Sequence, residues 1–224
     1  MVEALATGRG VSRRMRSAAK AADEAAMRSL DVVVCMALIL LLAPLLTTIV
    51  VCIWAQDGGT PIFLHERIGK NGRSFRCIKF RTMVRDSAAT LAAYLESNPA
   101  ARAEWDRDHK LRNDPRITAI GRFLRRSSLD ELPQLLNVLR GEMSVVGPRP
   151  IVAEEVCRFG RRIDSYYSVR PGITGLWQVS GRNNVCYRRR VAMDAVYAHR
   201  RTVALNLVIL VLTVPAVLLT TGSY

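Results

Sequence analysis

Two stretches of this chain carry no charged residue. The first runs from residue 32 to residue 54 and the second from 202 to 221. Both are hydrophobic almost without interruption, so neither shows the alternation of a half-buried strand. At a rise of about 1.5 Å per residue, each is long enough as a helix to reach roughly 30 Å, the hydrocarbon thickness of a bilayer. The first is too long for a secretory signal, and no small-residue cleavage site follows it. Pro44 falls near its middle, where it removes a backbone donor and predicts a break or kink. The second has one polar stripe. Thr202, Asn206, Thr213 and Thr220 fall within about 40° on a helical wheel. That stripe predicts a helix lying at an interface or against the first segment, with a second membrane span as the alternative.

Between these segments the pattern becomes mixed. Residues 61–67 and 74–81 read as short strands joined through Asn71-Gly72, a hairpin signal. Residues 86–110 are Ala-rich and charged, predicting a helical insertion interrupted at Asn98-Pro99. Asn113-Asp114-Pro115 predicts a turn into another helix. No repeat or low-complexity linker divides the chain. The expected organisation is a basic mobile tail over 1–28 and a membrane helix–break–helix over 29–55. A single catalytic domain over 56–201 and an apolar interfacial helix over 202–224 complete it. The fold class is α/β, mostly helical with a small β-hairpin.

Charge changes the picture of the first apolar segment. Basic residues precede it, among them Arg9, Arg13, Arg14, Arg16, Lys20 and Arg28. Basic residues also follow it, from Arg67 to Arg85. A straight span leaves its basic excess on one side. Basic flanks on both sides suit a helix that dips into the bilayer at Pro44 and returns, although an ordinary kinked span remains open. The whole chain carries a formal charge of +14, which suits anionic lipid or phosphorylated substrates. Aromatic residues make up 6% of the chain and no recognition motif is present, which disfavours nucleic acid. Five scattered cysteines without a C-x-x-C and three isolated histidines argue for a reducing compartment and against a zinc site. Neither a P-loop nor a G-x-G-x-x-G occurs.

The densest chemistry lies between Ser127 and Pro150. Asp130 and Glu131 open an apolar helical run, and Arg149 sits between Pro148 and Pro150. Adjacent residues on a helix point about 100° apart, so the two carboxylates cannot face each other across a glycosidic bond. They can converge on one metal–phosphate centre. Ser128-x-x-Glu131 also matches a capping box, which would make the pair structural. The arginines bear on this choice. Arg149 is pre-ordered by its prolines, and its fork fits phosphate oxygens. Lys79 and Arg81 share a strand with Phe80 turned inward between them. Arg125 precedes the acidic pair, and Arg170 and Arg182 occupy glycine-containing turns. For any one of them a solvated surface charge is the alternative. Trp177 and Gln178 in the Gly-Leu-Trp-Gln turn read as a base-stacking or bonding pair, or as core.

The run from Ser127 to Pro150, with Lys79-Phe80-Arg81-Thr82-Met83 upstream and the segment from Arg170 to Asn183 downstream, resembles the bacterial sugar transferases. These are polyprenyl-phosphate sugar-1-phosphate transferases. The resemblance covers residues 28–224, with Asn206 standing where that family usually has Asp. It implies that Asp130 attacks the sugar-bearing phosphorus of a UDP-sugar, glucose or galactose being favoured, and releases UMP. Glu131 assists. Lys79, Arg81, Arg125, Arg149, Arg170 and Arg182 bind substrate. Mg²⁺ is bound at Asp130, and the phosphosugar passes to a polyprenyl phosphate as the first step of exopolysaccharide synthesis. It further implies a re-entrant membrane helix broken at Pro44 and a catalytic domain on the cytoplasmic face of the bacterial inner membrane. A homo-oligomer stays open, as does a non-catalytic, membrane-anchored scaffold.

Overall fold

Helix α1 runs from Val2 to Asp57 with Pro44 inside it. The computed structural model describes residues 2–181 and 185–218, except the side chains of 2–20, 108, 217 and 218. The tail expected over 1–28 is thus helical from Val2 onward, in keeping with its alanines, which carry the highest helix propensity. The helix also continues through Pro44 rather than stopping there. Just beyond, Thr47 Oγ1 and Thr48 Oγ1 donate to the carbonyls of Ala43 and Pro44, each at 2.9 Å. Such back-bonding supplies partners to helix carbonyls and commonly bends a helix.

Strands β1 (Ile62–Ile68) and β2 (Ser74–Phe80) form the expected antiparallel hairpin, with Phe63 opposite Lys79 and His65 opposite Cys77. Asn71 takes φ 61 at the turn, a left-handed conformation that Asn tolerates. Helices α2 (Ser87–Ser97) and α3 (Pro99–Asp108) meet at Asn98, as expected, and the Asn98 side chain caps α3 by accepting from Ala101 N. Helix α4 (Ala119–Ser127) is capped by Thr118. A single 3₁₀ turn (Leu129–Glu131) leads to α5 (Gln134–Leu139).

The next element is a second sheet that periodicity did not predict. Strands β3 (Ser144–Val146) and β4 (Gly172–Thr174) pair in parallel over three residues each. Gly147 N donates to Thr174 O at 2.8 Å, and Gly172 N donates to Pro148 O at 2.7 Å. A Cβ on Gly172 would overlap the backbone of Gly147, so this crossing requires glycine. Short helices α6 (Val156–Phe159) and α7 (Ile163–Tyr167) form the connection between β3 and β4. Helix α8 (Leu176–Val179) follows β4. Helices α9 (Tyr187–Arg200) and α10 (Val203–Leu218) complete a mostly helical fold.

The apolar segments belong to the core as well as to the surface. Cys35 packs with Cys77, Leu135, Val138 and Met143, while Ile49 and Ile53 pack with Phe80 and Leu124. On α10, Ile209 packs with Val146 and Tyr197. Two residues of its polar stripe face inward, while Thr202 is exposed. Asn206 Oδ1 accepts from Tyr197 OH at 2.9 Å, and Thr213 Oγ1 lies 2.8 Å from Thr174 Oγ1, whereas Thr220 is outside the described residues. The opposite faces stay bare. Val33, Leu40, Leu41 and Trp54 on α1 are exposed, as are Leu207, Val208, Val211 and Val214 on α10. Among the described residues one helix, Ala21–Asp57, is long and apolar enough to cross a bilayer.

Candidate active site

The backbone before the acidic pair is set by Thr82. Its carbonyl accepts from Thr118 N at 3.1 Å, and Gly121 of α4 lies so close to it that a Cβ would overlap. Helix α4 then ends at Ser128 with φ 58, a left-handed cap more often filled by glycine. Ser128 makes no side-chain cap on the following turn, so the capping-box alternative does not hold. The chain reversal at Ser128 instead delivers Asp130 and Glu131 to the β-hairpin.

There Lys79 Nζ donates to Glu131 Oε1 at 2.7 Å. Phe80 is buried between Lys79 and Arg81, as the strand alternation predicted. Glu131 and Lys79 line a cavity with Arg67, Cys77, Gln134, Arg149, Pro150, Gly172, Ile173 and Gln178. The turn carrying Arg149 is fixed from below. Ile68 N donates to Ile151 O at 2.8 Å, Arg67 Nη1 donates to Pro150 O at 3.3 Å, and Tyr166 OH accepts from Ile151 N while donating to Ile68 O. Arg149 itself is exposed between two buried prolines.

The two carboxylates are driven apart electrostatically. Burial, with help from the Glu131 charge, pushes Asp130 up to about 6 against the pull of Lys79 and Arg125. Burial also pushes Glu131 upward, but Lys79, Arg149 and Arg67 outweigh it and hold Glu131 below the usual carboxylate range. Such a split is how neighbouring acids acquire different roles. Glu131 is a fixed anion holding a lysine. Asp130 is an unusually basic carboxylate and forms no salt bridge among the described residues.

The other sequence-predicted residues divide. Arg125 Nε donates to Thr82 Oγ1 at 2.9 Å, and its charge reaches Asp130. Arg81 instead pairs with Asp57 at the end of α1. Arg170 Nε donates to Gly141 O at 2.8 Å and lines a separate cavity with Arg28, Asp31 and Arg201. Arg182 lies outside the described residues. Trp177 is buried under the Arg190 guanidinium, 4.6 Å from the ring centroid. Arg67 and Gln134 were not expected. Arg67 had been one of many basic flank residues, and only the β1–β2 register reveals that it shares a sheet face with Lys79.

No group of three or more His, Cys, Asp or Glu side chains converges among the described residues, so they form no all-protein metal cage. Magnesium does not need one, since it is commonly held by one or two carboxylates together with substrate phosphates. Asp130, a hard oxygen donor without a salt-bridge partner among the described residues, fits that pattern.

The family model for bacterial sugar transferases matches residues 22–220. The chain is 50% identical over 197 residues to a UDP-galactose-lipid carrier transferase of Erwinia amylovora, covering 88% of this chain and 41% of that protein. It is 47% identical to the exopolysaccharide production protein ExoY of Sinorhizobium fredii, covering 88% of this chain and 87% of that one. It is 46% identical to an undecaprenyl-phosphate galactose phosphotransferase of Salmonella typhimurium, covering 92% and 43%. The chain therefore belongs to the bacterial sugar transferase family. It spans less than half of the length of the Erwinia and Salmonella relatives.

Proposed function

We propose that this chain is a phosphoglycosyl transferase that moves a hexose-1-phosphate from UDP-galactose or UDP-glucose to a polyprenyl phosphate. One observation carries the reading. A half-buried Asp130, pushed up to about 6, adjoins Glu131, which Lys79 already neutralises and which lines a cavity walled by Arg67 and Arg149. A pyrophosphate brought to two bare carboxylates would be repelled. Here one carboxylate is compensated, and guanidinium forks stand ready for phosphate oxygens.

In the proposed reaction an Asp130 oxygen attacks the sugar-bearing β-phosphorus. The bond from that phosphorus to the bridging oxygen breaks, and UMP leaves with the electron pair. The resulting aspartyl-phosphosugar is then attacked by a polyprenyl phosphate oxygen, which frees Asp130 and yields a polyprenyl diphosphosugar. Asp130 and the donor phosphates would hold Mg²⁺, whose chemistry there is to screen charge on the pyrophosphate. Lys79 and Glu131 fix each other beside the reacting centre, and Arg149 and Arg67 bind the phosphates.

The same reading puts the catalytic domain on the cytoplasmic face of the bacterial inner membrane, where UDP-sugars are found, for the opening step of exopolysaccharide synthesis. Both ends of the apolar part of α1 are tied to one domain, which supports a re-entrant segment. Arg28 donates to Val138 O and Leu139 O, and Asp57 pairs with Arg81. A segment crossing the bilayer would separate those anchors. The bare apolar faces of α1 and α10 then meet lipid. The direct test is UMP release by detergent-solubilised protein across a panel of UDP-sugars. Release that requires polyprenyl phosphate for turnover supports the reading, and no release from any donor refutes it.

A further inference from the structure

The candidate active site also contains uncharged polar groups that phosphate binding does not use. Gln134, the first residue of α5, is 2% exposed and lines the cavity. No hydrogen bond to its carboxamide is formed among the described residues, although that amide is not sealed off from the cavity. The contrast with Asn137, one turn later on the same helix, is sharp. Asn137 Oδ1 accepts from Ile78 N at 2.9 Å, and its Nδ2 donates to Arg76 O at 2.8 Å and to Glu142 at 2.7 Å. A second carboxamide lines the same cavity. Gln178 Nε2 donates to Ile173 O at 3.1 Å, while its buried Oε1 has no partner.

Buried amides are rarely left unbonded, because removing one from water without a replacement bond costs free energy. Two in one cavity call for a ligand group that both donates and accepts. Charged phosphate oxygens accept only, and Arg67, Lys79 and Arg149 already face them. A neutral carboxamide suits hydroxyls, or the imide edge of a base. Position decides between these. Gln134 lies one turn after Asp130 and shares its cavity with Glu131, which places it nearer to the phosphorus attacked in the proposed reaction than to the far end of the donor. In the donor proposed above the group bonded to that phosphorus is the hexose, and the uracil is a further phosphate and a ribose away.

We propose that Gln134, with Gln178 beside it, forms a subsite that reads hydroxyl groups of the transferred hexose. The inference rests on the UDP-hexose reading of the site. It assigns donor selectivity to two carboxamides rather than to the arginines.

The test is calorimetric binding of UDP, of UDP-hexoses and of UDP-hexoses lacking single hydroxyls. It uses the full chain in lipid nanodiscs, with Asp130→Asn to prevent turnover. Gln134→Leu should weaken UDP-hexose tenfold or more and leave UDP within about twofold. One deoxy donor should bind the Gln134 protein as weakly as the leucine variant does, and should lose nothing further in that variant, as a double-mutant cycle requires. Because leucine removes an unpaired buried amide, the variant should melt at or above its parent. Gln134→Met, similar in volume, should show the same selectivity. Equal weakening of UDP and UDP-hexose would overturn the proposal by placing the contact on the nucleotide. Unchanged binding of both, or a lower melting temperature with loss of both, would overturn it by making Gln134 structural. A parent protein that binds no UDP-sugar would refute the donor reading itself, a separate outcome.

Discussion

Lys79 Nζ lies 2.7 Å from Glu131 Oε1, joining the hairpin to the turn after α4 across 52 positions of sequence. This pair is partly buried, with side-chain exposures of 18% and 31%. Breaking such a pair leaves a charge without its partner, which costs more than the pair's net worth. Lys79→Met should therefore raise the Glu131 pKa and increase the negative charge facing the substrate. The expected loss in kcat/KM is roughly a hundredfold or more, about 2.7 kcal/mol of transition-state stabilisation. Steady-state UMP release checks this, and a near-normal rate would remove Lys79 from the site.

Arg149→Lys keeps the charge but loses the bidentate fork. Activity should fall roughly tenfold to a thousandfold, about 1.4 to 4 kcal/mol, with an unchanged melting temperature because Arg149 is exposed. A normal rate would make Arg149 a surface charge.

The elevated Asp130 gives a pH signature. Its folded pKa, about 6, lies above the ordinary value of 3.8, so its protonated form is favoured in the fold. That contribution to stability is full below about pH 4 and is lost as pH rises through about 6. Asp130→Asn is neutral throughout. It should melt a few degrees above the wild type at pH 8 and close to it at pH 4. Wild-type kcat/KM should rise with pH across the same region as the carboxylate ionises. Thermal melts at the two pH values check the sign. A variant less stable at pH 8 would show that the Asp130 charge is stabilised rather than destabilised.

Asn137 is fully buried and holds β2 to α5 through Ile78 N and Arg76 O. Asn137→Leu strands those backbone groups and should cost about 2 to 4 kcal/mol of stability. Activity should fall as well, because the same contact positions Lys79. Denaturant unfolding alongside turnover separates the two effects.

Single cysteines replacing Ser12 or Asn71, in a background without the native cysteines, test the membrane topology. Both should resist an impermeant thiol reagent in intact cells if α1 dips and returns. Labelling at position 12 alone would establish a true span.

Local signals made much of this architecture readable. Asn71-Gly72 set the hairpin, Asn98-Pro99 set the α2–α3 junction, and strand alternation turned Phe80 inward and Lys79 to the other face. The three-residue parallel strands β3 and β4 were invisible because they are too short for a period and depend on the Gly147–Gly172 crossing. Arginine roles were equally hard to read. Arg81, Arg149 and Arg170 share one chemistry, yet Arg81 neutralises Asp57, Arg170 caps a carbonyl at Gly141, and only Arg149 reaches the cavity. Arg67 entered the site through strand register, and Gln134 through burial, neither of which composition reports. Ser128-x-x-Glu131 misled in the other direction. The motif matched a cap, but Ser128 took a left-handed conformation and Glu131 went to Lys79.

Covalent capture on Asp130 tests the central claim most directly. Purified protein is incubated with UDP-hexose and Mg²⁺ without acceptor and measured by intact-mass spectrometry, followed by peptide mapping. The account predicts one added hexose-phosphate on the peptide carrying Asp130, matching release of UMP, discharged on adding polyprenyl phosphate and absent in Asp130→Asn. Sustained turnover by a folded Asp130→Asn variant, or an adduct mapped to another residue, would contradict it.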